Sequence, residues 1–289
     1  MKIGNKEFDC GEGRSFVMGI LNITPDSFSD GGRFKTINDT MDCVEKMIKQ
    51  GVDIIDVGGE STRPGYKRIS DEEEIRRAVP VIKAIKQNFD IPVSIDTYKS
   101  HVAEMALGAG ADMVNDIWGL KYDMKMAQVV AKHRKVICIT HNNFQVPAIT
   151  ERKSFYNAIE KELQNSIKLA IKAGVDKNNI ILDPGIGFAK TTDMNIWGIT
   201  VLQRLSRFGF PLLLGISRKS LIGNILDLPV DEREEATITL NVIARMYGCH
   251  FFRVHSVVEN VRALQMADAI LRSEKSIRNR RNKKCTIKL

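Results

Sequence analysis

A chain of 289 residues with 43% apolar and 27% charged residues has length enough for one large core or two ordinary ones, and its composition excludes disorder and membrane residence as starting assumptions. The net charge of +8 looks like a nucleic-acid signal until it is located. Residues 272–289 hold eight Lys or Arg against Glu274 alone, a net +7, which leaves the body at +1. A basic end without aromatic residues reads as a solvated tail, and nucleic acid is not the expected partner. Five scattered cysteines at no metal-clamp spacing, and an opening Met1–Glu7 without an apolar segment, lead us to expect a reduced, cytoplasmic protein.

The apolar run Phe16–Leu21 is too short for a helix and stops at Asn22, so it reads as a buried strand entering a polar loop. In that loop Pro25, Gly31 and Gly32 set the backbone while Asn22, Asp26 and Asp30 offer oxygen ligands. Such a loop suits a divalent ion and a phosphate, but Asp26 and Asp30 also suit simple turns, and the residues alone leave both open. The pattern then repeats. Strands are expected at Val17–Leu21, Ile54–Val57, Val93–Ile95, Met113–Asn115, Val136–Thr140, Ile180–Leu182, Leu212–Leu214 and Phe251–Val254.

Helical patterns lie between them. Asn38–Gln50 presents Met41, Val44, Met47 and Ile48 on one face. Ser70 and Glu73 suggest a capping box, and Pro80 a kink in the helix that follows. Further helices are expected at Ser100–Leu107, Met124–His133, Ser154–Ala173, Asp193–Arg207, Glu232–Tyr247 and Glu259–Leu271. Residues Phe155, Ile159, Leu163, Ile167 and Ile171 recur at steps of four. Eight strands alternating with helices predict an α/β fold, a single-domain (β/α)8 TIM barrel over residues 1–273. Residues 1–15 are expected to cover its closed end, and 274–289 to form a frayed basic tail.

Polar residues follow every expected strand: Asn22, Asp56 with the run Gly58–Gly65, Asp96, Asn115 with Asp116, His141, Asp183, Ser217–Ser220, and Arg253 with His255. In a barrel all would emerge at the C-terminal mouth. Asp96, Asn115 and Asp183 suit the N–H and amino groups of a flat heterocycle. Lys219, Arg253 and His255 suit an anion on the last two strands, a diphosphate being the natural candidate. Ser61, Thr62 and Arg63 form a second loop able to fold over it; Phe28 and Phe188 would then be aromatic walls, while a single aromatic such as Phe188 also suits the core. The residues thus divide into an acidic and amide-bearing group for a heterocycle and a cationic group for an anion.

With these motifs in view, the chain resembles the bacterial dihydropteroate synthase family over about Val17–Leu271. The likeness rests on Gly19–Gly32, Asp56–Gly65, Ser94–Thr97, Asn115–Asp116, Asp183–Phe188, Ser217–Ser220 and Arg253–His255, in that order. It implies a transferase of folate biosynthesis that joins 6-hydroxymethyl-7,8-dihydropterin diphosphate to p-aminobenzoate by a dissociative displacement, a sulfonamide target, with magnesium as cofactor and a homodimer as assembly. Carried over, it implies pterin binding by Asp96, Asn115, Asp183 and Lys219, and diphosphate binding by Asn22, Thr62, Arg253 and His255. The p-aminobenzoate pocket would comprise Phe28, Thr62, Arg63, Pro64, Phe188, Lys219 and Ser220, with Asn22 and Asp30 at the metal. Asp96, Asp183, Lys219, Arg253 and His255 would carry the catalysis. A pterin-binding methyltransferase of similar fold needs no diphosphate site, and the Asn22 loop, Lys219, Arg253 and His255 argue against it. One departure stands out: the family usually places Met-His after the fifth strand, where this chain has Thr140-His141, so the packing around the ring is expected to differ.

Overall fold

Alternating apolar residues set the architecture. A computed structural model describes residues 1–11, 13–23, 36–61, 68–143 and 149–286, with side chains to residue 273. A short antiparallel pair, β1 (Lys2–Ile3) and β2 (Lys6–Glu7), opens the chain. Eight strands follow: β3 (Phe16–Asn22), β4 (Ile54–Gly58), β5 (Val93–Asp96), β6 (Met113–Asp116), β7 (Val136–Thr140), β8 (Ile180–Asp183), β9 (Leu213–Leu214) and β10 (Phe251–Val254). All are parallel, in the order β8-β7-β6-β5-β4-β3-β10-β9, and a bridge between Leu182 and Leu212 closes the ring. The expected (β/α)8 barrel is therefore the fold observed.

Each strand's side chains alternate between lumen and helices. Outward residues such as Val17, Ile55, Val93, Ile137, Leu182 and Phe252 belong to one apolar cluster with the surrounding helices. Inward residues near the strand starts, among them Phe16, Met18, Ile54, Met113, Ile181 and Phe251, form a second cluster that includes Ile3 and Phe8. Burying each large aliphatic side chain contributes roughly 1.5–3 kcal/mol, so this lower layer is a packed floor rather than a pore. Two residues further along the same strands the inward positions turn polar: Asp56 after Ile54, Asn115 after Met113, Asp183 after Ile181, Arg253 after Phe251. The site begins where the apolar floor ends.

The helices depart from expectation in informative places. The segment expected as Asp193–Arg207 divides into Thr192–Thr200, Leu202–Leu205 and a 3-10 turn at Ser206–Phe208. At the join the Thr200 hydroxyl donates to the Trp197 carbonyl at 3.1 Å, competing with the backbone ladder. A helix not anticipated, Ser220–Leu226, follows β9; seven residues are too few to show a period. The Ser70 cap forms, with its side chain accepting the Glu73 N–H at 3.2 Å. The reciprocal half of the box does not, because Glu73 instead takes Arg76 and Arg77, each at 2.7 Å. Helix Asp71–Asn88 runs through Pro80. In Arg152–Lys172 the four-residue steps drift about 40° per step, so Phe155 to Ile167 are buried while Ile171 is 46% exposed. The last helix spans Val257–Thr286. No helix among the described residues is long and apolar enough to cross a membrane.

Candidate active site

At the top of the lumen one guanidinium spans two strands. Arg253 Nε donates to Asp56 Oδ2 at 2.5 Å and Nη2 to Asp96 Oδ2 at 2.6 Å, and Asn115 Nδ2 lies 3.4 Å from the same Asp56 oxygen. The opposite carboxylate oxygens, Asp56 Oδ1 and Asp96 Oδ1, are buried without a partner among the described residues, as are Asn115 Oδ1 and Ser94 Oγ. An unmet buried acceptor costs about 1–3 kcal/mol. Four of them gathered in one place mark a surface shaped for a ligand that brings donors.

Burial governs the ionisation of this group. It pushes Asp96 up to about 7, against the pull of Arg253 and with added repulsion from Asp56 and Glu74. It likewise raises Asp183, although Lys219 and the Gly185 N–H, at 2.6 Å from Asp183 Oδ1, oppose it. Lys219 is drawn down to about 8 by burial, with Asp183 and Asp96 supporting its charge and Arg253 opposing it. For Arg253 burial pulls the other way, but Asp96 and Asp56 outweigh it and raise the guanidinium above its ordinary range.

Lys219 caps the Ser220–Leu226 helix, donates to the Ile186 carbonyl and holds its Nζ 4.6 Å from the centre of the Phe188 ring. Phe188 is half-buried and belongs to neither apolar cluster. Ser220 is exposed at the start of its helix. His255, two residues beyond Arg253, is tied to the end of the β9 segment: its Nδ1 lies 2.9 Å from Ser217 Oγ, and that oxygen also accepts the His255 N–H at 3.2 Å. Asn22 ends β3, and a Cβ on Gly58 would stand 3.4 Å from its Oδ1. Asp26, Phe28, Asp30, Thr62, Arg63 and Pro64 lie outside the described residues.

The expected acidic and cationic groups adjoin rather than stand at separate ends, because Arg253 is bonded to Asp56 and Asp96. Strand β10 is two places from β4 in the ring, and an extended arginine crosses that gap. His141 also departs from expectation. Thr140 keeps the inward parity, in register with Asp183, whereas His141 is buried toward helix Arg152–Lys172, with Nε2 3.3 Å from Glu162 Oε2. Burial pushes its pKa down to about 4, so it is neutral at pH 7.

The sequence alone gives Asp56 no role; its place at a strand end, in parity with Asp96, is the available signal. A second group gave none. Glu60 Oε2 accepts Lys99 Nζ at 2.8 Å and the Ile69 N–H at 3.0 Å, while Lys99 Nζ also reaches Glu74 at 2.7 Å and the Ile69 carbonyl at 2.8 Å. These bonds tie Glu60 to Ile69 across the second loop. Lys99→Met would leave two buried carboxylates without their counter-charge, and is expected to cost about 3–5 kcal/mol in urea unfolding. A loss below about 1 kcal/mol, the range of exposed pairs, would show the cluster to be solvated.

Among the described residues no group of three His, Cys, Asp or Glu is arranged to hold a metal ion. Outside the lumen, a cleft of about 620 Å³ is lined by Trp118, Tyr122, Asn143 and Glu162 among others.

The profile of a family described as pterin binding enzyme matches residues 18–255, from β3 through the last strand. This chain belongs to the pterin-binding enzyme family. Within that family a dihydropteroate synthase of Clostridium beijerinckii is 55% identical over 273 residues, covering 94% of this chain and all of the relative. The crystal structure of a dihydropteroate synthase from Clostridium difficile, determined in the presence of pteroic acid, superposes with a TM-score of 0.87 at 47% identity, covering 92% of this chain and 100% of that one. A Yersinia pestis dihydropteroate synthase in complex with a sulfonamide drug gives 0.86 at 36% identity, over 93% and 98%. The pterin-binding enzyme described here is accordingly a transferase of folate biosynthesis, of the dihydropteroate synthase type, and its polar lumen is the place to look for the pterin.

Proposed function

We propose that this chain condenses 6-hydroxymethyl-7,8-dihydropterin diphosphate with p-aminobenzoate, giving 7,8-dihydropteroate and diphosphate. The observation that carries the proposal is the bank of unpartnered acceptors on Asp56, Asp96 and Asn115 beside Arg253. A pterin offers ring N–H and amino donors, which is what those acceptors lack. In this reading Asp96, Asn115 and Asp183 take the heterocycle, with Lys219 at its edge. Arg253, His255, Asn22 and Thr62 hold the diphosphate.

The carbon–oxygen bond at the pterin methylene breaks with its electron pair going to the diphosphate. The ring-delocalised cation left behind is favoured by the Asp96 and Asp183 carboxylates, and the departing anion by Arg253 and His255. The p-aminobenzoate nitrogen then forms the new bond and gives up a proton. No strong base is required of the chain. Phe28, Thr62, Arg63, Pro64, Phe188, Lys219 and Ser220 shape the pocket from which it attacks. Asn22 and Asp30 are the residues that would hold magnesium, whose preference for one or two protein oxygens plus phosphate and water suits so sparse a donor set. Bound there, the ion would neutralise charge on the leaving group.

Incubating the purified protein with both substrates and magnesium should release diphosphate and dihydropteroate in equal amounts. Diphosphate release that ignores p-aminobenzoate would refute the condensation. The pH dependence follows from the mouth. The rate at limiting pterin diphosphate should rise as Asp96 loses its proton near pH 7 and fall as Lys219 loses its own near pH 8, the two limbs belonging to the coupled site. A rate flat across that range would contradict these assignments.

Two further readings belong with this one. Cys10, Cys138 and Cys249 are thiols outside any disulfide, which fits a cytoplasmic enzyme. Ile225, Leu226, Val230, Met246, Met266 and Ile270 are exposed on or between successive C-terminal helices, which supports a homodimer through that face. Light scattering at the monomer mass would refute the dimer.

A further inference from the structure

The turn after β8 is wound through the left-handed region three times, at Gly185 (φ 72°), Gly187 (φ 84°) and Ala189 (φ 46°). At Gly185 a Cβ would stand 1.9 Å from the His141 carbonyl oxygen, so the turn passes hard against the end of β7. Ala189 does carry a Cβ, and its conformation costs on the order of 1–2 kcal/mol. Strain of this kind persists where the surroundings over-determine it.

Here the surroundings are specific. Lys190 Nζ donates to three backbone carbonyls, Gly185 at 2.8 Å, His141 at 3.1 Å and Phe188 at 3.1 Å, one for each ammonium hydrogen. Burial draws its pKa down to about 7, against the support of the Asp183 carboxylate. Asn195, buried on helix Thr192–Thr200, holds the same turn from the other side: its Oδ1 accepts the Gly187 N–H at 2.7 Å and its Nδ2 donates to the Lys190 carbonyl at 3.3 Å. Lys219 closes the arrangement through the Ile186 carbonyl and lies over the Phe188 ring. The reaction itself asks nothing of Lys190 or Asn195.

We propose that Lys190, together with Asn195, is a positioning residue that holds the 184–190 turn in its strained form and so presents Phe188 to the ring of p-aminobenzoate. The proposal rests on Phe188 being a wall of that pocket. A three-point ammonium clamp fixes the turn relative to β7, and a wall that wanders by an ångström loses its contact with a flat ring.

Steady-state kinetics with each substrate varied in turn provide the test. Lys190→Met, folded by circular dichroism, should raise KM for p-aminobenzoate about tenfold while KM for the pterin diphosphate stays within about twofold, and Lys190→Arg should fall between. An unchanged KM for p-aminobenzoate, or both KM values rising together, would overturn the proposal. If Lys190→Met fails to fold, Asn195→Ala carries the same expectation and its absence the same refutation. Phe188→Ala separates the two layers of inference. If it raises KM for p-aminobenzoate and Lys190→Met does not, the Lys190 assignment alone is wrong; if it has no effect, the pocket reading beneath it fails, and the proposal with it.

Discussion

Arg253→Met is expected to lower turnover on the pterin diphosphate by at least about a hundredfold, equivalent to about 3 kcal/mol of transition-state stabilisation. The loss has two parts. The departing diphosphate forfeits a cation held in place, since Arg253 is bonded to Asp56 at 2.5 Å and to Asp96 at 2.6 Å. The second part is local repulsion. Without the guanidinium those two carboxyls face each other in the lumen, and one must take up a proton, so the acceptor bank is altered where the heterocycle would bind.

Arg253→Lys tests the geometry apart from the charge. A point charge on a flexible stem does not reproduce a planar fork spanning two carboxylates, so it should recover only part of the activity. Both variants should remain folded by circular dichroism, because the apolar clusters around and below the lumen do not involve residue 253. Turnover within about threefold of wild type for Arg253→Met, well under a tenth of the expected effect, would remove Arg253 from the mechanism.

Asp183→Asn is expected to cost at least about tenfold in turnover and to move the alkaline limb of the pH profile downward. An asparagine can keep the bond that Asp183 Oδ1 makes with the Gly185 N–H only by turning its carboxamide oxygen there. That leaves its NH2 group facing the pterin, a donor against a donor. The pH effect has a definite sign. Burial pulls Lys219 down to about 8, and Asp183 is the leading influence holding it up. With that carboxylate neutralised the ammonium deprotonates at lower pH, and the falling limb should follow. An alkaline limb that stays in place would show that Lys219 is not the group titrating there.

Much of this architecture was legible because a barrel imposes parity. Val136–Thr140 and Phe251–Val254 are strands over the residues expected, and the remaining strands differ only at their ends. Asp96, Asn115, Asp183 and Arg253 were legible from their place at the ends of the strands, and the two-residue period turns them into the lumen. What sequence does not encode locally is who meets whom across the lumen. The bridging of Asp56 and Asp96 by one arginine joins positions 157 and 197 residues apart in the chain.

Nor could a pattern reveal Lys190, whose partners are backbone carbonyls available at every position. The same holds for Glu60 and Lys99, which meet because Lys99 Nζ reaches both Glu60 after β4 and Glu74 on helix Asp71–Asn88. The drift of Ile171 into solvent was readable in principle, since the step of four overshoots the helical turn.

The most direct measurement is a crystal structure of the wild-type protein with the pterin diphosphate bound. The heterocycle should place its N–H and amino groups on the free oxygens of Asp96 and Asn115 and on Asp183, with the diphosphate against Arg253 and His255. A pterin seated elsewhere, for example in the cleft beside Trp118 and Tyr122, with those lumen oxygens still unpaired, would contradict the account.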